Sequence, residues 1–476
     1  MATVSSAGIG SGLDVNSIIK QLMAIERQPL TKLQSKATTI QSTVSEYGKI
    51  KSAVSTLRDL SAKLNSTTTW AQTTASSSST AAVSATTNGS APGSYSVAVQ
   101  SLASVQTLAT GLYASATATP GGGTINIELG TWGAGQTSFT PKTGATAIDI
   151  TVVATDTLAD VRDKINAAGA GVTALIMTDA SGSRLLIRSN TTGAENAFRT
   201  TVTDDDGINT DATGLSALAY TTTAKVSTQN QIAANAAATI NGLAVSSTSN
   251  TLTDIVDGLT LKLSSVTTSA VTVDVVTDAA ALKKTMTEFA EAYSAVVKLI
   301  AADTKYDATT KKGGLLLGDG AAVSLQRQLR SLAGAVSGAS TSFARLSDAG
   351  FELQRDGSMT VNSIRIDNAL ANLPELKKMF SNSSLTDPTL DGFAKRFKTV
   401  TAALLASDGS LTTRTDGLGQ QLTRNQKDQD TLAIRLAATE KRIRAQYTAL
   451  DTTMAQLNGT SSFVTNQIAA WNKPSS

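Results

Sequence analysis

The chain has 476 residues, enough for several domains, because single hydrophobic cores stop growing well below this length. Forty basic and 37 acidic side chains leave a formal charge of +3, too small an excess to attract nucleic acid or anionic lipid. Cysteine and histidine are both absent, which excludes disulfides, thiolate nucleophiles, metal sites built on these residues and histidine general bases. Aromatic residues make up only 4% of the chain, so the cores must rely on small and aliphatic side chains.

The N-terminus shows no targeting segment. Residues 1–5 lack the basic and apolar stretches of a cleavable signal peptide, and no run of about eighteen apolar residues is present to cross a bilayer. We therefore expect no membrane insertion. Export without a cleaved signal would leave the same pattern.

Two helices are predicted near the N-terminus. Asp14 follows the glycines at positions 8, 10 and 12 and is placed to accept backbone N–H bonds as the N-cap of the first helix. Pro29 should end this helix near Gln28, because the residue before a proline avoids the α region. The second helix carries apolar residues seven positions apart, a pattern typical of coiled coils; they are Leu33, Ile40, Tyr47 and Val54.

The C-terminal region repeats this pattern in a weaker form. Its seven-residue row comprises Leu422, Gln429, Leu436, Ile443, Leu450 and Leu457, and the companion row is diluted with threonine. A seam of this composition is marginal as an isolated helix pair. The repeat leaves two interpretations open, a hairpin of the terminal helices within one chain and pairing with neighbouring subunits.

Three further helices and a long β region lie between the ends. The apolar stripes of the helices cover residues 282–300, 323–332 and 393–404. From about Ser76 to Thr277 the pattern changes to strand-like alternation, as in residues 95–99. The dipeptide Asn241-Gly242 in this region predicts a tight β-hairpin.

A compact β-α-β-β pattern occurs inside the β region. A strand ends near Val153, and Thr157 and Asp160 form a capping box that opens a helix. Glycines at positions 169 and 171 close the helix. Two strands then follow, at residues 172–177 and 184–187, joined by a turn.

Short matches to catalytic and metal-binding motifs are interpreted as coincidences. Residues 17–20 fit S-x-x-K and residues 142–144 fit K-T-G, but the third element of this serine acyl-transferase signature is missing. The acidic run at residues 204–207 lacks the alternating ligands and the closing glutamate of a calcium loop, so a solvated turn is predicted. We expect no catalytic residue, no cofactor and no metal ion.

Several other motifs follow one another along the chain. They are residues 8–15 with Leu22-Met23, Glu26 and Pro29-Leu30, then residues 124–127, 156–158 and 165–172, then residues 240–242, 249–251 and 258–261, then residues 313–319 and 356–359, and finally residues 446–463. In this order they resemble the bacterial flagellar filament cap proteins, the hook-associated protein 2 family. The β-α-β-β segment is similar to a repeat in the heads of flagellin-related hook and cap proteins.

This resemblance implies an α+β multidomain fold, with terminal coiled-coil-like helices, a helical leg domain and inserted, mainly antiparallel β head domains. The implied domains are terminal helical leg segments at 1–30 and 430–476, a helical upper-leg domain at 31–72 and 279–429, an inner β head domain at 73–108 and 226–278, and an outer β head domain at 109–225.

The resemblance also implies a function. A cap protein is a secreted structural protein of motility that forms an oligomeric ring at the distal tip of the flagellum. It promotes folding and insertion of exported flagellin and prevents its loss to the medium. Implied partners are flagellin, further copies of the chain as a pentamer or any ring from tetramer to hexamer, the hook-filament junction protein, and the flagellar export apparatus with its chaperone. No nucleic acid is implied.

Self-association and flagellin contact are assigned to the two terminal seams. The candidate residues are Leu33, Ile40, Tyr47, Val54, Leu422, Leu436, Ile443, Leu450 and Leu457.

Other functions stay open at this point. A flagellin or a hook-filament junction protein shares helical ends and β heads, and a flagellar-tip adhesin would bind host glycans through the threonine-rich head. Trp70 and Trp132 are expected to fill a core or an interface rather than a sugar site. An enzyme would need converging acid and base groups in residues 109–225, where the sequence offers none.

Overall fold

A computed structural model describes residues 14–309 and 311–471. The chain divides into two compact units, residues 1–70 with 279–476 (the helical unit) and residues 71–278 (the β unit). Long helices and antiparallel sheets confirm the predicted α+β multidomain fold. The glycine motif at positions 8–12 and the first residues, on which the signal-peptide prediction rests, lie outside the described residues. Within the described ranges, no helix is both long and apolar enough to span a membrane.

The helices of the described residues account for most of the helical unit, with one helix in the β unit. They are α1 (Val15–Glu26), α2 (Gln28–Asn65), α3 (Thr67–Trp70), α4 (Leu158–Ala168), α5 (Ala279–Thr304), α6 (Gly320–Ala333), α7 (Ser363–Leu370), α8 (Leu373–Ser381), α9 (Phe393–Leu405) and α10 (Ser410–Trp471).

The strands lie mainly in the β unit. They are β1 (Thr73–Ser77), β2 (Val83–Thr87), β3 (Gly93–Ser101), β4 (Thr107–Ala109), β5 (Gly123–Trp132), β6 (Phe139–Pro141), β7 (Ile148–Val152), β8 (Val172–Asp179), β9 (Gly182–Ser189), β10 (Ala197–Asp204), β11 (Thr228–Gln231), β12 (Ala236–Ile240), β13 (Leu243–Ser247), β14 (Thr251–Val256), β15 (Leu259–Leu263), β16 (Val271–Thr277), β17 (Tyr306–Asp307), β18 (Lys312–Gly313), β19 (Phe351–Leu353) and β20 (Met359–Val361).

The helical unit is built around α2, α5 and α9, whose apolar stripes meet in its main core. Phe289 on α5 lies at the centre, with edge-on ring contacts to Phe351, Phe380 and Phe397. Trp70 stacks on Phe380, and its Nε1 donates to the Leu64 carbonyl, so this tryptophan fills the core as predicted. The three helices predicted from apolar stripes are confirmed as α5, α6 and α9. Helices α7 and α8 were not predicted.

One part of the β unit is a pair of packed antiparallel sheets. The first has the strand order β1-β16-β3-β12-β13 and the second the order β14-β15-β2. The predicted hairpin is confirmed between β12 and β13. Its turn needs left-handed backbone at both central residues, with φ of +51° at Asn241 and +83° at Gly242. Asparagine and glycine adopt this conformation most readily, which explains the dipeptide.

The other part of the β unit is a second pair of sheets, the outer sandwich. Its sheets have the order β11-β4-β9-β8 and β10-β5-β6, with β7 also paired to β5. The predicted capping box opens α4, where Thr157 and Asp160 each satisfy the other's backbone N–H. Gly169 ends α4 with a φ of +68°. The β-α-β-β segment is thus confirmed, but its first strand pairs with β5, and its last two strands belong to the opposite sheet.

Candidate assembly surface of the terminal helices

The first terminal helix begins and ends close to the predicted residues. The Asp14 carboxylate accepts the Ser17 N–H at 3.0 Å, as expected of an N-cap. Helix α1 ends at Glu26, and only Arg27 separates it from α2, in which Pro29 occupies the first turn. Proline is tolerated there because first-turn N–H groups have no partner within the helix. The break therefore lies at Arg27, one residue before the predicted position.

Helix α1 packs against α10 of the same chain. Val15, Ile19 and Met23 are buried against Leu436, and Ile443 is partly buried beside them. At the rim, the Arg27 guanidinium pairs with the Glu440 carboxylate at 3.2 Å, and Arg444 donates to the Asn16 side chain at 3.3 Å. The intrachain hairpin that the sequence left open is therefore present here. This cluster is small and separate from the main core, so it contributes little stability of its own.

The central part of the seam joins α2 to α10 and α9. Ile40, Tyr47 and Val54 are buried in the main core, Leu422 packs against it, and Leu33 is half-buried. These candidate residues are already in contact with their own chain. A contact between Tyr47 or Val54 and another subunit would require the helical unit to open.

A buried polar network fastens three helices of this unit. The Tyr47 hydroxyl donates to Asp319 at 2.6 Å, and Arg414 on α10 donates to the other oxygen of Asp319 at 2.7 Å. Asp319 also caps α6 by accepting the N–H groups of Ala321 and Ala322. Burial opposes ionisation of Asp319, but the hydrogen bonds from Tyr47 and Arg414 outweigh it and lower the pKa of this carboxyl. Burial, together with the Asp319 charge, raises the pKa of the Tyr47 hydroxyl.

The distal part of α10, beyond residue 447, carries an apolar stripe that no helix among the described residues covers. Leu450 and Leu457 are 47% and 58% exposed. The further exposed apolar residues of this distal stripe are Phe463, Val464 and Ile468. Residues 452–471 contain no charged side chain. The stripe is about 30 Å long at 1.5 Å per residue and is suited to pairing with another apolar helix.

Sequence reasoning found only the first half of this distal stripe. The same row continues from Leu457 to Val464, seven positions further, so the sequence held the signal that locates it. The candidate residues thus fall into three groups. The first group, in or against the main core, comprises Ile40, Tyr47, Val54 and Leu422. The second group, Leu436 and Ile443, contacts α1. The third group lies outside these clusters, with Leu33 half-buried and Leu450 and Leu457 exposed on the described surface.

The two parts of the serine acyl-transferase signature, residues 17–20 and 142–144, belong to different units. Ser17 lies in the first turn of α1 in the helical unit, whereas Lys142 belongs to the β unit and pairs with Glu195 at 3.0 Å.

A solvated turn was predicted for the acidic run at residues 204–207, and the structure differs from this prediction at Asp204. Asp204 is buried and accepts the Ser216 N–H at 2.8 Å, while Asp205 and Asp206 are exposed. In residues 14–309 and 311–471, no three acidic side chains are grouped as metal ligands.

Trp132 is half-buried in the outer sandwich. Its ring makes edge-on contacts with Phe139 and Tyr220. Its Nε1 lies 3.2 Å from the Gln106 side-chain oxygen, to which it donates. It packs against the core of the outer sandwich and therefore fills a core, as predicted.

Three family models match this chain. The models of the N-terminus and the C-terminus of flagellar hook-associated protein 2 match residues 11–106 and 233–459. The model of the flagellin hook IN motif matches residues 136–191, which include the β-α-β-β segment. Residues 107–135 and 192–232 fall outside the matched ranges.

Several relatives match along nearly their whole length. Flagellar hook-associated protein 2 of Escherichia coli is 31% identical over 98% of each chain. The A-type flagellar hook-associated protein 2 of Pseudomonas aeruginosa is 29% identical over 95% of each chain. Flagellar hook-associated protein 2 of Salmonella typhimurium is 28% identical over 99% of this chain and 100% of its own.

One solved structure extends the comparison to the fold. The crystal structure of the D1-D2-D3 domains of the flagellar cap protein FliD from Escherichia coli has a TM-score of 0.61 and 27% identity, covering 79% of this chain and 99% of its own. The fold and the sequence together therefore define a flagellin-related axial protein of the bacterial flagellum. More specifically, the chain belongs to the flagellar hook-associated protein 2 family.

Proposed function

We propose that this protein caps the distal tip of the flagellar filament as an oligomeric ring. In this position it promotes the folding and insertion of exported flagellin and prevents loss of flagellin to the medium. It acts by binding and positioning subunits, without covalent catalysis. The proposal rests on family membership over nearly the whole chain and on the fold shared with a protein described as a flagellar cap.

The distal stripe of α10 is the observation that carries the mechanism. An exposed, uncharged row of large apolar side chains on a helix is rare on a monomer surface and is typical of a protein interface. In the ring this stripe pairs with apolar helices of incoming flagellin or of a neighbouring copy. The weak α1–α10 cluster fits the same role, since it can open at small cost when a subunit is inserted.

The four hydrophobic clusters of the described residues support the predicted division into four domains. The cluster of the terminal helices corresponds to the leg segments and the main core to the upper leg. Separate clusters lie in the two sheet pairs of the β unit and support an inner and an outer head. The predicted bounds differ from the clusters at Leu108 and β11, which were assigned to the inner head and belong to the outer sandwich. We further propose that the protein contacts the hook-filament junction protein and, during export, the export apparatus and its chaperone. Its site of action is outside the cell.

A deletion strain tests the proposed function. Cells that lack this chain should carry intact hooks and release unpolymerised flagellin into the medium. Purified protein added from outside should restore filament growth. Normal filaments in the deletion strain, with a loss only of surface binding, would refute the capping function and favour the adhesin.

Matched variants test the part played by the distal stripe. Leu450→Ser with Leu457→Ser should release flagellin as the deletion does, while leaving the thermal stability of the monomer unchanged, because exposed substitutions usually cost less than about 0.5 kcal/mol. The control is Ile434→Ser with Ile364→Ser, which changes two exposed helical isoleucines of the same unit outside the stripe. Equal flagellin retention in the two variants would show that the stripe makes no functional contact.

A further inference from the structure

One outer face of the outer sandwich combines exposed apolar and basic side chains. Met177 is 54% exposed on β8, with Leu175 exposed beside it. The neighbouring strand β9 contributes Arg184, Leu186 and Arg188. The strand register sets Leu175 opposite Leu186 and Met177 opposite Arg184, so these five residues form one patch, named here the basic sheet face.

The basic sheet face is an exception in its unit. Residues 71–278 contain fifteen acidic and eight basic side chains, a net charge of −7, whereas the rest of the chain has 22 acidic and 32 basic, a net charge of +10. Four of the eight basic residues pair with carboxylates; they are Lys142, Arg162, Lys164 and Arg199. Arg184 and Arg188 form no ion pair with any described residue, and Arg184 only approaches the Thr110 carbonyl at 3.5 Å.

A surface of opposite charge lies in the same sandwich. The acidic loop, residues 204–211, carries four aspartates, no basic side chain and an isoleucine, Ile208, that is 54% exposed. Hydrogen bonds between residues of the loop fix its conformation. Asn209 accepts the Asp204 N–H at 2.8 Å, and the Asp206 carboxylate accepts the Ile208 N–H at 2.8 Å.

The two surfaces extend from opposite layers of the sandwich. The acidic loop follows β10, while the basic sheet face is formed by β8 and β9 of the other sheet. Inward-pointing residues of both layers, such as Ile187 on β9 and Val202 on β10, meet in one core. The remaining side chains of β8 and β9 therefore point away from the layer that carries the loop.

We propose that the acidic loop of one copy docks on the basic sheet face of the next copy. In this contact, the Asp205 and Asp206 carboxylates pair with Arg184 and Arg188. The Ile208 side chain packs between the ion pairs, against the apolar side chains of the basic sheet face. Because the two contacting surfaces differ, the contact is head-to-tail, and repetition of such a contact closes a ring when the rotation fits. This inference rests on the proposed ring and assigns it a specific contact.

The acidic loop lies in residues 192–232, between the ranges matched by the family models. The basic sheet face, in contrast, lies within residues 136–191, which the flagellin hook IN motif matches.

The absence of cysteine allows a direct test by disulfide formation. Leu175→Cys with Ile208→Cys is expressed as the full chain in the deletion strain, and filaments are sheared off and oxidised. A ladder of covalent oligomers on a non-reducing gel is expected, because each subunit links to two neighbours. Each single-cysteine variant and the control Leu175→Cys with Val276→Cys should give dimers at most. Dimers alone, or a faster-migrating monomer with an internal disulfide, from the test variant would overturn the proposal.

Charge reversal in the same cysteine background tests the ion pairs. Arg184→Glu with Arg188→Glu should lower the ladder yield at least about tenfold, and adding Asp205→Lys with Asp206→Lys should restore it, because both charges are then exchanged. The control Lys225→Glu with Lys262→Glu makes the same change in net charge and should leave the yield unchanged. Equal yields with and without the arginines would refute the contact.

The same strains separate this inference from the proposed function. If the unmodified chain failed to retain flagellin, the proposed capping function would be refuted. If flagellin were retained but no ladder formed, only the proposed contact between the acidic loop and the basic sheet face would be refuted.

Discussion

Removal of the Asp319 carboxylate should destabilise the helical unit more than removal of any exposed acidic group in it. In Asp319→Ala, α6 loses its N-cap, the Tyr47 hydroxyl loses its acceptor, and Arg414 loses its partner. The Asp319 side chain is only 7% exposed, so water replaces little of what is lost.

The expected cost follows from these three contacts. Loss of an N-cap costs about 1 kcal/mol. A buried hydroxyl without a partner costs about 1–3 kcal/mol. Arg414 is about one third exposed and can rehydrate, so its loss adds little. The free energy of unfolding of the helical unit should therefore fall by about 2–4 kcal/mol. Asp319→Asn retains a capping oxygen and an acceptor for Tyr47 and should lose about 1 kcal/mol.

Hydrogen exchange followed by mass spectrometry measures this loss region by region. The amides of α2, α6 and the first turns of α10 should exchange faster in Asp319→Ala, while those of the β unit should not change. The control is Asp367→Ala, which removes an exposed ion pair with Lys283 at 2.7 Å and should cost less than about 1 kcal/mol. If the two variants exchanged alike, the network would not fasten the three helices, and the reasoning would be wrong.

Three further predictions concern pH, the terminal helices and two glycines. The pKa of Asp319 is lowered, so its contribution to stability should be complete above the ordinary carboxyl pKa of about 4 and be lost as the pH falls through the folded-state pKa; urea unfolding should show a larger difference between the wild type and Asp319→Asn at pH 5 than at pH 2.5. Ile19→Ala removes a buried side chain from the small α1–α10 cluster, and the free energy lost should exceed the stability of that cluster. Amide-exchange protection should therefore disappear in α1 and stay the same in α5; a uniform loss of protection across the unit would contradict this. Gly242→Ala should destabilise the β unit by about 1 kcal/mol, because its φ is +83°, whereas Gly48→Ala in the exposed middle of α2 should stabilise the helical unit by about 0.5–1 kcal/mol; melting curves that moved in the same direction for both would refute the conformational argument.

Local patterns in the sequence predicted local structure well. The capping box at Thr157 and the Asn241-Gly242 turn were found because each depends on neighbouring residues. The long helices α2 and α10 were found because a seven-residue repeat persists over many turns. Helices α7 and α8 were missed because eight and nine residues show too few repeats of the pattern.

Contacts between distant residues were not predictable in the same way. Alternation identified β7 as a strand but carried no information that it pairs with β5 rather than with its neighbours in sequence. Asp319 accepts a hydrogen bond from Tyr47, 272 positions away in the sequence, and no local pattern in either segment predicts this contact. The apolar row of α10 could be predicted as a repeat, but its exposure depends on which segments pack against it, which is a property of the tertiary structure.

The helical unit is made from both ends of the chain, and this determines the order in which the protein can fold. During synthesis the β unit is complete once residue 278 has emerged, and it can fold at that point. Tyr47 must wait for Asp319 and then for Arg414, 367 positions later, so the apolar row of α2 has no partner for most of translation. The nascent chain is therefore expected to be a folded β unit preceded by an unsatisfied helix, a species prone to aggregate unless another protein shields that helix.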